Sequence, residues 1–221
     1  MSKITGIIFD LDGTLLNTVE DIMDSCNIAL KKLDYPLHSL KEYKQFIGEG
    51  MEELVRKALP QDKRDEENIK ICLELLREEY KKRYHNKTKP YDGIKDLLKT
   101  LLKRGIKMAV FSNKPDDFTL SATKYYFPEI DFCVVLGAKE GNPKKPDPYG
   151  ANFIIKKLNI PKENIVYLGD SKTDIMTAKN CGVLSVGAEW GFRGKEELIS
   201  AGADYIVKTP DEFLVLIDKL K

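Results

Sequence analysis

The stretch "IIFDLDGTLLNT", residues 7–18, decides the fold, because an apolar run there ends in two aspartates followed by a Gly-Thr pair. If the run is a strand, Asp10 and Asp12 lie on the same side of it, since strand side chains repeat every two residues. Two neighbouring carboxylates repel each other, and one is driven toward protonation unless a cation lies between them. The pair therefore predicts a cation site at the end of a buried strand.

Length and composition limit the classes of protein to consider. A chain of 221 residues fits one large domain or a domain with an insert, and 36 basic against 35 acidic residues create no field that attracts nucleic acid or an anionic membrane. The apolar runs are too short for a membrane span or a signal peptide. The cysteines have no paired spacing, so we expect buried free thiols in a reducing cytoplasm: Cys26, Cys72, Cys133 and Cys181.

Short apolar runs alternate with helical patterns over most of the chain. Strands are expected at 4–10, 107–113, 131–137, 164–170, 184–190 and 203–208, and helices at 92–105, 148–159 and 173–182. Alternation of this kind predicts βαβ units and a parallel sheet, and continuous apolar strands are typical of a sheet covered on both faces. We therefore predict an α/β fold with a Rossmann-like parallel sheet.

Residues 16–87 interrupt this alternation with charged helical sequence and no convincing strand. We interpret them as a helical domain inserted after the first strand, which leaves 1–15 and 88–221 as the core. The alternative is that the same helices pack directly onto the sheet as part of one domain.

Polar residues follow four of the predicted strands, at the strand end in three cases and in a proline-rich loop after the strand in the case of the two lysines. They are Asp10 and Asp12, Ser112 and Asn113, Lys144 and Lys145, and Asp170 and Asp174. Ligands of open α/β sheets bind at the carboxyl ends of the strands, so these groups are expected to converge on one crevice. Carboxylates, a hydroxyl and a lysine suit a hard cation together with a phosphoryl group, and Mg²⁺ is the cation that binds a few carboxylates while keeping several waters.

Each of these motifs has an ordinary structural explanation when it is taken alone. "DLDGT" (10–14) can be an Asp-Gly turn, "SN" (112–113) a loop, and "GDSKTD" (169–174) a helix N-cap. A calcium loop does not fit, because the glycine after Asp10 comes too early. The order of all four motifs, each at a strand end, is what favours a functional site.

The four motifs together resemble those of the haloacid dehalogenase superfamily of phosphohydrolases, in the same order across essentially the whole chain. They are "DLDGTL" (10–15), "VFSN" (110–113), "KKPDP" (144–148) and "GDSKTD" (169–174). The helical insert resembles the first type of cap domain in that superfamily. The resemblance implies an α/β core with an inserted helical cap.

Three further stretches are most similar to the phosphoglycolate phosphatase group: "IGEGMEELVRKAL" (47–59), "PYDGIKDLLKTL" (90–101) and "EWGFR" (189–193). The resemblance implies a Mg²⁺-dependent phosphatase whose partner is a small phosphorylated metabolite such as 2-phosphoglycolate. A phosphosugar mutase of the β-phosphoglucomutase type, or a pyrophosphatase or nucleotidase on the same fold, remains open, and so does the choice between monomer and homodimer. A phospho-receiver domain is disfavoured, because its acids are adjacent and its length is about half.

The resemblance also implies roles for individual residues. Asp10 would attack phosphorus and form an aspartyl-phosphate, and Asp12 would protonate the leaving group and then accept a proton from water. The carboxyl group at Asp12 argues against the halide-removing branch, which lacks this acid. Mg²⁺ would be bound by Asp10, the backbone carbonyl of Asp12, and Asp170.

Other residues would support the reaction, again by resemblance. Ser112, Asn113 and Lys145 would hold the phosphate, with Lys145 favoured over Lys144 because it directly precedes the Pro-x-Pro element. Thr14 would help to shape the phosphate pocket from a supporting position.

Asp174 would support either Asp170 or Lys145, so its partner is open at this stage. The loop of Gly48, Glu49 and Gly50 would reach toward the leaving group.

Glu49 has two possible orientations. An anionic leaving group requires it to point away or to pair with a cation such as Arg56 or Arg193, since like charges at short range oppose binding. A Glu49 that faces inward would instead suit a hydroxyl-rich sugar. We favour the outward orientation.

Overall fold

Strands and helices alternate along most of the chain, and the structure, a computed structural model, describes residues 3–220. In chain order the strands are β1 Gly6–Phe9, β2 Leu16–Asn17, β3 Lys89–Pro90, β4 Lys107–Pro115, β5 Val134–Ala138, β6 Ile165–Gly169, β7 Leu184–Ala188 and β8 Tyr205–Val207. The α-helices are α1 Val19–Lys32, α2 Leu40–Phe46, α3 Met51–Ala58, α4 Glu66–Arg83, α5 Ile94–Lys103, α6 Asp116–Tyr126, α7 Tyr149–Leu158, α8 Lys172–Cys181, α9 Lys195–Ser200 and α10 Pro210–Lys219.

Six of these strands form one parallel sheet in the order β5-β4-β1-β6-β7-β8. Strand β1 lies inside it, with Gly6 paired to Lys107 of β4 and to Ile165 of β6. All six strands were predicted, with ends that differ by at most three residues, and three predicted helices are α5, α7 and α8. The predicted α/β fold with a parallel sheet is confirmed.

Both faces of the sheet are covered, as the continuous apolar strands predicted. Ile7 and Phe9 of β1 pack against α5 and α10, where Phe213 meets the ring of Phe9 edge-on. Ile8, between them in sequence, points to the other face and packs with residues of α7 and α8. Every position of β1 is therefore buried, and the polar residues begin only where the strand ends.

Helices α1 to α4, which we call the helical insert, have an apolar core of their own, separate from the two clusters against the sheet. Leu30, Val55 and Leu76 are buried in it, and Phe118 and Phe192 join it from the sheet side. The insert thus packs mainly on itself and touches the sheet domain at one side.

The two chain crossings between insert and sheet run side by side as the antiparallel strands β2 and β3, with Leu16 paired to Pro90. Asp21, buried near the start of α1, fastens the second crossing. Its carboxylate accepts the N–H of Lys87 at 3.0 Å and that of Thr88 at 2.8 Å. One buried side chain therefore holds both crossings together.

The division into a core (1–15 and 88–221) and a helical domain (16–87) stays a prediction, with both crossings at its boundaries. The expectation of no strand between 16 and 87 is wrong at β2, because a two-residue strand is too short to form a pattern.

None of the helices in residues 3–220 combines the length and apolar character needed to span a membrane. All four cysteines lie in the described part and are free thiols; three are buried, and Cys133 is exposed, contrary to expectation.

Candidate active site

The carboxyl ends of the central strands bring buried charges together around Lys145. Its Nζ lies 2.7 Å from Oδ1 of Asp10 and 2.7 Å from Oδ1 of Asp174, and it donates to the carbonyl of Phe111 at 3.1 Å. Lys144 lines a neighbouring pocket instead. Of the two lysines that the sequence offered, the structure therefore brings Lys145 to the aspartates.

Asp170 follows β6 and is held by groups from two loops. The N–H of Phe192 donates to its Oδ2 at 2.7 Å, and the hydroxyl of Thr14 lies 3.5 Å from its Oδ1. Gly13 passes so close, with φ +90°, that any side chain there would collide with the Asp170 carboxylate. The turn after the first strand thus requires glycine for both its backbone angle and its space.

Helix α8 begins directly after Asp170 with a reciprocal cap. The Ser171 hydroxyl accepts the N–H of Asp174 at 3.4 Å, and Oδ2 of Asp174 accepts the N–H of Ser171 at 3.1 Å and its O–H at 2.6 Å. The other oxygen of Asp174 binds Lys145. Of the two supporting roles left open by the sequence, the contacts of Asp174 fit support of Lys145.

The crowding of buried carboxylates changes their protonation. Burial, and then the charge of Asp174, raise the pKa of Asp10 to about 7. Burial, and then Asp174 and Asp10, raise the pKa of Asp170 well above its ordinary value. Burial opposes the charge of Lys145, but the adjacent Asp10 and Asp174 outweigh it, so the pKa of Lys145 is well above its usual range. The site carries an excess of negative charge that a further cation would relieve.

The donor set fits a hard divalent cation. One carboxylate oxygen from each of Asp10, Asp170 and Asp174 lies within 4.8 Å of the others. Since Asp174 is engaged by Lys145 and by its own helix start, Asp10 and Asp170 are the carboxylates left for a metal ion. The side chain of Asp12 is outside this cluster, so Asp12 could contribute only its backbone carbonyl, and its place among the ligands stays a prediction.

Ser112 and Asn113 are buried in β4 and line the cleft beside these carboxylates. The Ser112 hydroxyl accepts the N–H of Lys114 at 3.2 Å. The Asn113 amide donates to the carbonyls of Gly48 at 3.0 Å and Lys145 at 3.1 Å, and accepts the N–H of Lys145 at 2.8 Å. Asn113 thus ties the lysine loop to the insert, and phosphate binding by Ser112 and Asn113 stays a prediction.

Asp12 is paired with Lys114, which was not among the residues predicted for the site. Nζ of Lys114 lies 3.0 and 3.1 Å from the two carboxylate oxygens of Asp12, and both side chains line the cleft. On its other side the ammonium lies 4.7 Å from the ring centre of Tyr80 in α4. Spacing in the sequence could have indicated Lys114 as a site residue. It comes two residues after Ser112, and strand side chains repeat every two residues.

A cleft lies between this edge of the sheet and the helical insert. From the insert it is lined by four apolar side chains and two glycines, namely Ile22, Ile47, Met51, Leu54, Gly48 and Gly50. Within residues 3–220, the charged side chains that line it come from the sheet domain. The two walls of the cleft are therefore chemically different.

Glu49 lies between the two glycines but is not part of the cleft lining. Its carboxylate is half exposed and lies 2.8 Å from Nζ of Lys57. This is the outward orientation expected for an anionic leaving group, although the partner is Lys57 and neither Arg56 nor Arg193.

Arg193 reaches from the loop after β7 to the insert. Its guanidinium donates to Oε1 of Gln45 at 2.7 Å and to the carbonyl of Ile47 at 2.7 Å. The preceding residue, Phe192, is the one whose N–H binds Asp170. Two adjacent residues therefore touch the carboxylate cluster and the insert.

Comparison with known proteins agrees with this architecture. A family model described as haloacid dehalogenase-like hydrolase matches residues 7–188. A phosphoglycolate phosphatase from Vibrio parahaemolyticus is 30% identical over 216 residues, covering 96% of this chain and 95% of the relative, and one from Vibrio cholerae is 31% identical over 211 residues, covering 93% of each. The crystal structure of a predicted phosphoglycolate phosphatase from Haemophilus somnus has a TM-score of 0.90 at 26% identity, covering 98% of this chain and 99% of that one.

The fold, the charged sheet edge and the family match agree, and the chain belongs to the family of haloacid dehalogenase-like hydrolases. It is a phosphoric monoester hydrolase that resembles the phosphoglycolate phosphatases.

Proposed function

We propose that the chain is a Mg²⁺-dependent phosphatase that hydrolyses a small phosphomonoester, first of all 2-phosphoglycolate, through an aspartyl-phosphate on Asp10. The observation that carries the proposal is the position of Asp10 in the cleft, 2.7 Å from the buried ammonium of Lys145 and two residues from Asp12. Lys145 favours the ionised and therefore nucleophilic form of Asp10.

The proposed reaction has two displacements at phosphorus. Asp10 attacks, the bond between phosphorus and the bridging oxygen breaks, and Asp12 gives its proton to that oxygen. Asp12 then accepts a proton from the water that attacks the aspartyl-phosphate and restores Asp10. Ser112 and Lys145 would hold the phosphoryl oxygens during both steps.

Asp10, Asp170 and the backbone carbonyl of Asp12 would hold Mg²⁺. When bound, the ion offsets the combined charge of the carboxylates and the phosphate. The raised pKa values of Asp10 and Asp170 support a cation here, because the same carboxylates without one favour protons.

The insert wall supports a small leaving group with few hydroxyls. Its side chains in the cleft are apolar, so the hydroxyls of a sugar would be buried against them without partners, which opposes binding. Glu49, the polar residue of the insert loop, points outward to Lys57. The proposal includes a cytoplasmic location and a small metabolite as partner. It includes neither nucleic acid nor a membrane as partner, and the net charge of +1 supports this part, because it creates no strong field for either.

A hydrolysis screen with Mg²⁺ tests the proposal. The substrates are 2-phosphoglycolate, sugar phosphates, nucleotides and pyrophosphate, and each is repeated with EDTA and with the Asp10→Asn variant. We expect release of phosphate that is fastest from 2-phosphoglycolate and is lost in both controls. Faster interconversion of glucose 1-phosphate and glucose 6-phosphate than release of phosphate would contradict it and indicate a mutase.

A further inference from the structure

Lys114 and Lys145 are both buried lysines of the cleft, but they differ in the number of carboxylates that they bind. Lys145 has two carboxylate partners, Asp10 and Asp174, each at 2.7 Å. Lys114 is buried to a similar degree but has a single carboxylate partner within residues 3–220, and the other side of its ammonium meets the neutral ring of Tyr80. A lysine ammonium has three donors. The two Asp12 oxygens lie 3.0 and 3.1 Å from Nζ, and the further side-chain hydrogen-bond partner is the uncharged Tyr80, which a second anion could replace without releasing Asp12.

The other cations of the cleft are already engaged. Lys145 is bound to the two aspartates, and Arg193 donates to the insert at Gln45 and Ile47. The insert adds apolar side chains and glycines to the lining. Among the cations that line the cleft in the described residues, Lys114 is therefore our candidate counter-charge for a negative group on the leaving side of the substrate.

We propose that Lys114 binds the carboxylate of the substrate and so selects phosphomonoesters whose leaving group carries a carboxylate next to the bridging oxygen. This inference rests on the proposed function and deepens it. Lys114 would contact the substrate directly, and the Tyr80 ring would hold the ammonium against the cleft.

The spacing fits this class of substrate. Asp12 must lie at hydrogen-bond distance from the bridging oxygen to protonate it, and Nζ of Lys114 is 3.0 Å from the Asp12 carboxylate. In 2-phosphoglycolate one methylene separates the bridging oxygen from the carboxylate carbon, a span of about 2.4 Å with ordinary bond lengths of roughly 1.5 Å. Two groups of the substrate that one methylene separates can therefore meet two neighbouring side chains of the protein.

Charge also favours the assignment. A substrate with a phosphate and a carboxylate enters a cleft that already contains Asp10, Asp12 and Asp170. Without a further cation, the substrate carboxylate would add to the negative charge of the cleft, which opposes binding. Lys114 would offset this charge through a charge-assisted hydrogen bond to the substrate carboxylate, with Asp12 either protonated or ionised.

The test compares two esters of nearly equal size, 2-phosphoglycolate and 2-hydroxyethyl phosphate, in the presence of Mg²⁺. We expect Lys114→Met to lower kcat/KM for 2-phosphoglycolate by roughly 10- to 100-fold more than for 2-hydroxyethyl phosphate, the effect of losing a hydrogen bond to a charged group. Lys114→Arg should keep most of the preference. The matched control is Lys107→Met, which removes the same charge from the opposite end of β4, where Lys107 binds the Leu158 carbonyl.

A binding measurement separates selection from an effect on Asp12. Calorimetry with 3-phosphonopropionate and with propylphosphonate should show that Lys114→Met loses affinity for the first compound and keeps it for the second. The inference would be overturned if Lys114→Met lost kcat/KM equally on both esters and its affinity changed equally for both phosphonates. Lys114 would then be a positioning residue for Asp12. If Lys114→Met does not fold, Lys114→Gln takes its place in every assay. Wild-type protein that hydrolyses neither ester would instead contradict the proposed function.

Discussion

The two walls of the cleft differ in how their side chains are fixed. On the sheet side, Asp10, Lys145 and Asp174 form a buried chain of ion pairs. On the insert side, the lining is apolar, and the charged Glu49 of the same loop lies half exposed beside Lys57. Charge is thus concentrated on the wall built from a rigid sheet and is absent from the lining of the opposite wall, within the part of the chain that the structure describes.

The difference separates two tasks. Buried charges need partners on several sides, and the ends of adjacent parallel strands supply them within hydrogen-bond distance. An apolar wall needs no such partners, so a change in its side chains leaves no buried charge unpaired. We therefore expect the residues of the sheet side to carry out the chemistry. Both walls are expected to contribute to the choice of leaving group, and the contribution of the sheet side comes from Lys114.

The largest effect is expected from removing the proposed attacking carboxylate, Asp10, on the sheet side. Asp10→Asn removes the proposed nucleophile and a proposed metal ligand together, so turnover should fall to background while the protein remains folded. Phosphate release gives the activity and circular dichroism the fold, and the control is Asp62→Asn, which changes an exposed aspartate of the insert. Near-normal activity of a folded Asp10→Asn protein would mean that the charged wall does not carry the chemistry.

Asp12→Asn should have the second largest effect. It keeps the backbone carbonyl but cannot exchange a proton, and general acid and base catalysis typically contributes about 10²- to 10⁴-fold. Steady-state kinetics should show a loss in this range for 2-phosphoglycolate and a smaller loss for the first step of aryl phosphates, whose leaving groups need no proton. A loss below about tenfold on 2-phosphoglycolate would argue against the acid-base role.

A smaller effect concerns how the free energy of unfolding depends on pH through the buried carboxylate of Asp10. With pKa values of about 7 when folded and 3.8 as the ordinary value, Asp10 binds more protons in the folded state than in the unfolded state between these pH values. The free energy of unfolding of metal-free protein should therefore fall as pH rises through this window. Mg²⁺ favours the ionised form, so it should raise the melting temperature more at pH 7.5 than at pH 5.

Thermal melts with EDTA or Mg²⁺ at the two pH values provide the measurement, and Asp10→Asn is the control in which the difference should shrink. A rise in melting temperature from Mg²⁺ that is equal at both pH values, or larger at pH 5, would contradict this prediction.

The smallest effect is expected from the insert loop. Glu49→Gln removes an exposed ion pair with Lys57, which contributes little to stability, and leaves the cleft lining unchanged. We expect kcat/KM for 2-phosphoglycolate to stay within about twofold of wild type, since exposed pairs are weak. A clear fall in a stable Glu49→Gln protein would place this carboxylate in contact with substrate and so remove the chemical contrast between the walls.

The sequence predicted the sheet and the convergence of the motifs because both depend on local pattern. Strands β1 and β6 are uninterrupted buried runs that Asp10 and Asp170 follow directly. Ser112 comes after the apolar stretch of β4, and Lys145 lies in the loop after β5. Parallel strands then bring their carboxyl ends to one edge without further information.

Other features depend on contacts between distant parts of the chain, and these were missed. Lys114 acquires its meaning from Asp12, which is 102 residues away, and Tyr80 comes from a third segment. Asp21 looks like an ordinary first-turn acid of a helix, although it binds backbone groups 66 and 67 residues further on. The partner of Glu49 depended on side-chain direction, which spacing alone does not give.

The contacts of Phe192 and Arg193 have a consequence for affinity. Asp170 is bound by one of these neighbours and the Gln45–Ile47 stretch by the other, so a cation at the carboxylates and a ligand under the insert act on the same short loop. Any coupling that this loop transmits is reciprocal by thermodynamic necessity. If a bound ester tightens the hold on the cation by some factor, the cation tightens the hold on the ester by the same factor. A dissociation constant for either one then has meaning only when the concentration of the other is stated.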